Sequence, residues 1–360
     1  MKRAFISDCE GPISKNDNAF EATAHFLPNG DKLFAIISKY DDVLADIVKK
    51  PGYNAGDTLK LILPFLKAYG VTDKALREFS AQTLLLVAGS EETMRHLNSM
   101  MSSFIVSTSY EHYIKALCGE LGFPFENTYC TRLSLDRYGL SEPEGEQLKE
   151  FAAEIAEMPM ITIPPNAKSL EDFSEQDQRT TMKLDSIFWR EISRMAAGIV
   201  FRLVKPIGGR EKAQAVRDAA QKTRTHLSDI LYVGDSITDV EAFRLVREKD
   251  GLTISFNGNA YAVRNAEVAV QSDNNIVTAV IADLFYKLEK PQVLQVLEDW
   301  SYETLRQTPI DVSILDKLFA LNPANLPKVQ IVTAENKETL IRESSEFRKR
   351  VRGEAVGRLG

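Results

Sequence analysis

The sequence predicts an α/β protein, a parallel sheet flanked by helices and interrupted by two mainly helical insertions. Three observations carry this. Short apolar runs at 4–7, 104–107, 128–133, 230–233 and 253–256 alternate with stretches of helical period, the pattern of a parallel sheet with crossover helices. Small polar or acidic residues lie at or just past the ends of several runs, as Asp8, Ser107 and Asp235 do. Two long stretches, 16–89 and 137–205, do not share the alternation.

The run at 4–7 begins almost at the first residue and is too short for a signal peptide, so it predicts a first strand. After the run at 104–107, Tyr110, Tyr113, Ile114 and Leu117 recur at three and four residues, a helix with one apolar face that Gly122 can end. After the run at 230–233, Val240, Phe243 and Val246 repeat that spacing and Gly251 supplies the stop. The first insertion carries helical patterns such as Leu59, Leu61, Ile62, Phe65 and Leu66 between loops rich in Asp, Asn and Gly. In the second, Leu184, Phe188, Ile192, Met195 and Ile199 predict one stripe of a long helix, preceded by a Pro-rich loop at 161–165. The predicted organisation is therefore a core of 1–15, 90–136 and 206–290, insertions at 16–89 and 137–205, and a C-terminal extension from 291 to 360 with one strand at 329–332. Its basic run Arg348-Lys349-Arg350 reads as a solvated helix face.

A length of 360 residues exceeds one average domain, which fits a core carrying insertions. A net charge of -7 argues against nucleic acid or anionic membrane as a partner, since both are held by excess Lys and Arg. Cys9, Cys118 and Cys130 cannot form a complete disulfide set and lack the paired spacing of a zinc site, which points to a reducing cytoplasm. No apolar run approaches the roughly 18 residues of a membrane span.

Four segments carry the chemistry. Phe5-Ile6-Ser7-Asp8-Cys9-Glu10-Gly11-Pro12 places two acids two apart after a strand, and Tyr232-Val233-Gly234-Asp235-Ser236-Ile237-Thr238-Asp239 places two acids four apart at a helix start. Between them lie Ser107, at the end of a strand, and Lys212, in the helix opened by Gly208-Gly209. Taken singly, Asp8 reads as a local cap, Ser107 as a helix cap and Lys212 as a surface lysine, and the pair Asp235 and Asp239 as either caps or a site. In a parallel sheet, however, the carboxyl ends of the strands form one rim where ligands bind, and all four segments sit at that rim. Asp8 and Asp235 would converge there as a site for a hard cation such as magnesium.

In this order the segments resemble the four-motif signature of the haloacid dehalogenase-like (HAD) superfamily, over about half the chain. The resemblance implies a HAD-like Rossmannoid sheet, with the insertions as cap modules. It implies a Mg2+-dependent phosphohydrolase acting on a small phosphorylated metabolite through an aspartyl-phosphate. Asp8 would be nucleophile, Glu10 general acid and base, Ser107 a phosphoryl donor and Lys212 the fixed cation, with Asp8, Glu10, Asp235 and Asp239 around the metal. Glu10 departs from the pattern, because phosphatase branches usually have Asp there.

The Asp-Cys-Glu-Gly-Pro opening is also similar to an archaeal HAD-like group labelled energy-converting hydrogenase subunit R, which implies a non-catalytic accessory subunit as a second reading. Transfer of the phosphoryl group to an alcohol is a third. One insertion would serve as lid and the other as a homodimer or accessory-partner surface. Asp17 reads as a helix cap, Asn257-Gly258-Asn259 as a turn, and His25, His96, His112 and His226 as structural. Cys9 points away from Asp8 and Glu10 and reads as a packed thiol.

Overall fold

A computed structural model describes residues 2–357; Met1 and the last three residues of the C-terminal extension lie outside the described residues. Seven strands form one sheet in the order β3-β2-β1-β4-β5-β6-β7, with β1 Ala4–Ser7, β2 Ser102–Tyr110, β3 Thr128–Thr131, β4 Ile230–Gly234, β5 Leu252–Phe256, β6 Val268–Gln271 and β7 Lys328–Ile331. Every pairing is parallel except β6 with β7. β1 lies between β2 and β4, with Ser7 level with Ile105 on one side and Val233 on the other, so the ends of β1 and β4 meet beside β2, which runs on to Tyr110.

The period of two along the strands divides the core between the sheet's faces. Phe5, Ile105, Leu231 and Val233 pack on one side against Val277, Val280 and Ile281 of the helix Ile276–Lys287. Ala4, Ile6, Val106 and Tyr232 pack on the other against Val216 and Phe243. Helices on both faces explain why the central strands are buried throughout and read as continuous apolar runs. Cys9 is buried in the first of these cores, and all three cysteines are free thiols.

The two insertions form one helical body. Phe34, Tyr40, Leu61 and Phe65 from the first share a core with Leu148, Ile155, Leu184 and Phe188 from the second. The Phe188 ring stacks on Tyr40 at 5.8 Å and meets Phe65 edge-on at 6.0 Å. The long helix expected from Leu184 to Ile199 is not continuous. A helix at Glu175–Ser186 passes through a wider turn at Ile187–Glu191, and Met195 is extended (φ -72°, ψ 160°) before a separate turn at Ala196–Ile199. Gly198 packs so closely that a Cβ there would lie 2.1 Å from Ile192 O, a contact a straight helix would not make. Among the described residues no helix is long and apolar enough to cross a membrane.

Candidate active site

Asp8 is the first residue past β1, and its N–H donates to Val233 O at 2.8 Å, which fixes it at the carboxyl edge of the sheet. Cys9 N donates back to Asp8 Oδ1 at 2.7 Å. The chain then turns at once, with Ile13 N and Ser14 N both bonded to Cys9 O. Gly11 makes the turn at φ +109°, and a Cβ there would stand 2.1 Å from Asp235 Oδ2. Only glycine meets both conditions.

β4 delivers the second acid pair. Asp239 closes a capping box in which its Oδ2 accepts from Asp235 N at 3.0 Å and Ser236 N at 3.1 Å. Its Oδ1 accepts from Tyr232 Oη at 2.7 Å and from Lys212 Nζ at 2.8 Å. Gly234 is required because a Cβ would fall 2.4 Å from the Asp239 Cγ. Lys212 lies in the first turn of the helix Arg210–Thr223, fully buried, with Nζ 2.6 Å from Asp8 Oδ2. Gly208 ahead of that helix lets the backbone meet the first insertion, since a Cβ there would lie 2.1 Å from Ala55 O.

Asp8, Asp235 and Asp239 thus offer carboxylate oxygens within 4.8 Å of one another, all buried. Burial raises the Asp8 carboxyl well above the usual range; Lys212 offsets part of this, and repulsion from Asp239 and Asp235 adds to it. Burial works to lower the Lys212 ammonium, but the Asp239 and Asp8 charges outweigh it and raise it. Glu10 is half-buried, and desolvation with repulsion from Asp17 pushes its carboxyl well up even though it accepts from Asn18 N at 2.7 Å.

A cavity of about 100 Å³ opens at this edge. Asp8, Glu10, Thr108 and Asp235 line the sheet side, while Asp41 and Thr58 from the first insertion line the other. No residue of 137–205 lines it, so the first insertion is the one that covers the site. Asp17 caps the helix Asn18–Phe26 by accepting from Phe20 N, as expected, and it also lines the cavity.

Of the six expected site residues, Asp8, Glu10 and Asp235 line the cavity. Lys212 and Asp239 lie behind Asp8, holding it and each other. Ser107 does not reach the wall; its Oγ accepts from Ser109 N at 3.2 Å, and Thr108 lines the cavity instead. The pairing of β2 with β3 slips between Val106 and Tyr110, so simple alternation does not decide which residue faces the ligand.

Asp239 accepts two hydrogen bonds at Oδ1 and three at Oδ2, whereas Asp8 has a single partner at each oxygen. Asp8 therefore has capacity for a hard, oxygen-liking cation, with Asp235 beside it in the same acidic group, and an excess of desolvated carboxyl groups suits one.

Within the basic run at 348–350, Arg350 is exposed as a solvated face requires, but Arg348 is not. Arg348 is 3% exposed and donates through Nη1 to Asp235 Oδ2, and to Asp235 O at 3.4 Å. One turn on, Arg352 donates to the same Oδ2 at 3.0 Å, to Lys15 O at 3.0 Å and to Asn16 O. The physical reason is spacing: Leu340, Ser344 and Arg348, four apart, form the buried face of the helix Lys337–Arg352, and that face lies over the strand ends. The same spacing was the available signal in the sequence.

No protein-family model matches this chain, and no curated protein matches it. Among solved structures, the gene product AF1437 from Archaeoglobus fulgidus is 27% identical and superposes with a TM-score of 0.80, covering 100% of this chain and 99% of that one. The likeness therefore includes both insertions and the C-terminal extension. A phospho-aspartyl intermediate analogue of phosphoserine phosphatase is 14% identical at a TM-score of 0.44, over 76% of this chain and 95% of that one. A substrate-bound phosphoserine phosphatase gives 14% and 0.43 over the same shares.

Proposed function

We propose that this chain is a phosphohydrolase of the HAD superfamily that cleaves a small phosphorylated metabolite through an aspartyl-phosphate on Asp8. The observation that carries the reading is the convergence of Asp8, Lys212, Asp235 and Asp239, from three separate parts of the sequence, at the carboxyl edge of the sheet.

Magnesium held by Asp8 and Asp235 would offset the charge of a phosphate dianion and favour the ionised form of Asp8. An Asp8 carboxylate oxygen attacks phosphorus, the ester P–O bond breaks, and the departing alkoxide takes a proton from Glu10. Desolvation and repulsion from Asp17 push the Glu10 carboxyl up, the direction a general acid needs. Water then attacks the acyl-phosphate, gives its proton to Glu10, and phosphate leaves with Asp8 restored. Lys212 fixes the Asp8 side chain and compensates its charge, and Asp239 with Tyr232 fixes Lys212. A cavity of about 100 Å³ under the first insertion favours a compact substrate.

The test is hydrolysis of an aryl phosphate by the purified chain with magnesium. Asp8→Asn abolishes turnover, and acid quenching of the wild type during turnover traps phosphate on Asp8. Full turnover by Asp8→Asn would rule the reading out.

A further inference from the structure

We propose that Arg348, carried by the C-terminal helix, is the anion ligand of this cavity and binds phosphoryl oxygens directly. The inference rests on the phosphohydrolase reading above. Six acidic residues line the cavity, and among the described residues only two cationic ones do, Arg348 and Arg352. A phosphate group entering such a wall is repelled unless a cation faces it. Lys212, the cation expected for this purpose, does not line the cavity, and its Nζ is engaged by Asp8 and Asp239.

The two arginines differ in what they have left to give. Arg352 uses Nε for Lys15 O, Nη1 for Asp235 Oδ2 and Nη2 for Asn16 O, so all three of its nitrogens are engaged. It fastens the segment after the Asp8 turn to Asp235. Arg348 places both of its bonds through Nη1, and its Nε is buried with no hydrogen-bond partner. A buried guanidinium with an orphaned donor is costly unless a ligand completes it. Its planar fork suits two oxygens of one phosphoryl group, and Asp235 holds the fork in place. The C-terminal extension thus completes the site by supplying the positive charge that the strand ends lack.

The experiment titrates inorganic phosphate into the full-length chain with magnesium present, by calorimetry, for wild type, Arg348→Ala, Arg348→Lys and Asp8→Asn. Arg348→Ala weakens phosphate binding about tenfold or more, as loss of a charged hydrogen bond implies, and Arg348→Lys restores part of it. A second readout needs no substitution: the Arg348 Nε–H resonance of the wild type shifts as phosphate is added. Unchanged phosphate affinity in a folded Arg348→Ala, or an Nε–H signal that ignores phosphate, overturns the proposal. So does wild type that fails to bind phosphate, or an Arg348→Ala whose only change is tighter cation binding. Asp8→Asn separates the two readings: turnover surviving in that variant removes the phosphohydrolase reading, while its phosphate titration still reports on Arg348.

Discussion

Lys212 Nζ stands 2.6 Å from Asp8 Oδ2 and 2.8 Å from Asp239 Oδ1, with all three side chains buried. Replacing Lys212 with Met leaves two desolvated carboxylates facing each other without a cation. Removing one member of a buried ion pair costs about 3–5 kcal/mol. Urea unfolding of Lys212→Met should show a loss of that order, and Lys212→Met/Asp239→Asn should recover part of it because the second change removes one stranded charge. Equal stability of wild type and Lys212→Met would mean that the triad is not an ion pair in solution.

Gly11 makes a separate prediction about the turn. At φ +109° a side chain is strained by about 1–3 kcal/mol, and a Cβ would also collide with Asp235 Oδ2. Gly11→Ala should therefore displace Asp235, keep the circular dichroism spectrum of the fold, and bind Mn2+ more weakly by electron paramagnetic resonance. Wild-type Mn2+ affinity in Gly11→Ala would show that Asp235 takes no part in holding a cation.

The sheet was largely legible because a buried parallel strand leaves a continuous apolar run, as β1, β2 and β4 do, while β3 and β5 carry Thr or Ser among their apolar residues. β6, Val268–Gln271, was not among the expected strands, since no motif follows it. The strand expected at 329–332 is β7, one residue earlier, and nothing in its composition tells that it runs antiparallel. Asp8, Glu10 and Asp235 were readable as site residues because acids directly after a strand mark the rim. Ser107 stood one position from the wall because a slip in strand register is a property of the pair and not of either sequence. The arginines were hidden for the same kind of reason: what turns a basic helix end into part of a site is an acid more than a hundred residues away, Asp235.

The contact between first insertion and core should titrate. His112, on the helix Glu111–Leu121, meets Asp73 Oδ1 at 2.9 Å, and Asp73 also accepts from Leu135 N and Asp136 N. Burial holds the His112 imidazole below its usual 6.5; Asp73 and Glu111 oppose this in part, and Arg77 adds to it. The unfolded chain therefore takes up a proton near pH 6.5 that the folded chain refuses until a lower pH. Stability is full above that point and falls as pH drops from 6.5 towards the folded value. Asp73 adds a second loss further down, because backbone donors and His112 outweigh its burial and hold it below the carboxylate range. Chemical denaturation from pH 8 to pH 5 should show wild type losing stability relative to His112→Asn, a difference that cancels the opposite contribution of carboxyls raised by burial, such as Asp8. A difference that instead grows in favour of wild type on acidification would reverse the sign assigned to His112.

Glu10 is testable through the leaving group. An aryl phosphate departs as a weakly basic phenolate that barely needs a proton, whereas an alkyl phosphate departs as a strongly basic alkoxide that does. General acid catalysis is worth about 10²–10⁴-fold where it is needed. Glu10→Gln keeps the side chain's size and its bond from Asn18 N but has no acidic proton to give. It should form the aspartyl-phosphate from an aryl ester at nearly the wild-type rate in a single turnover, and lose most of its rate with an alkyl ester. Equal losses on both would mean that Glu10 shapes the cavity, where burial and its contact with Asn18 hold it, without passing a proton.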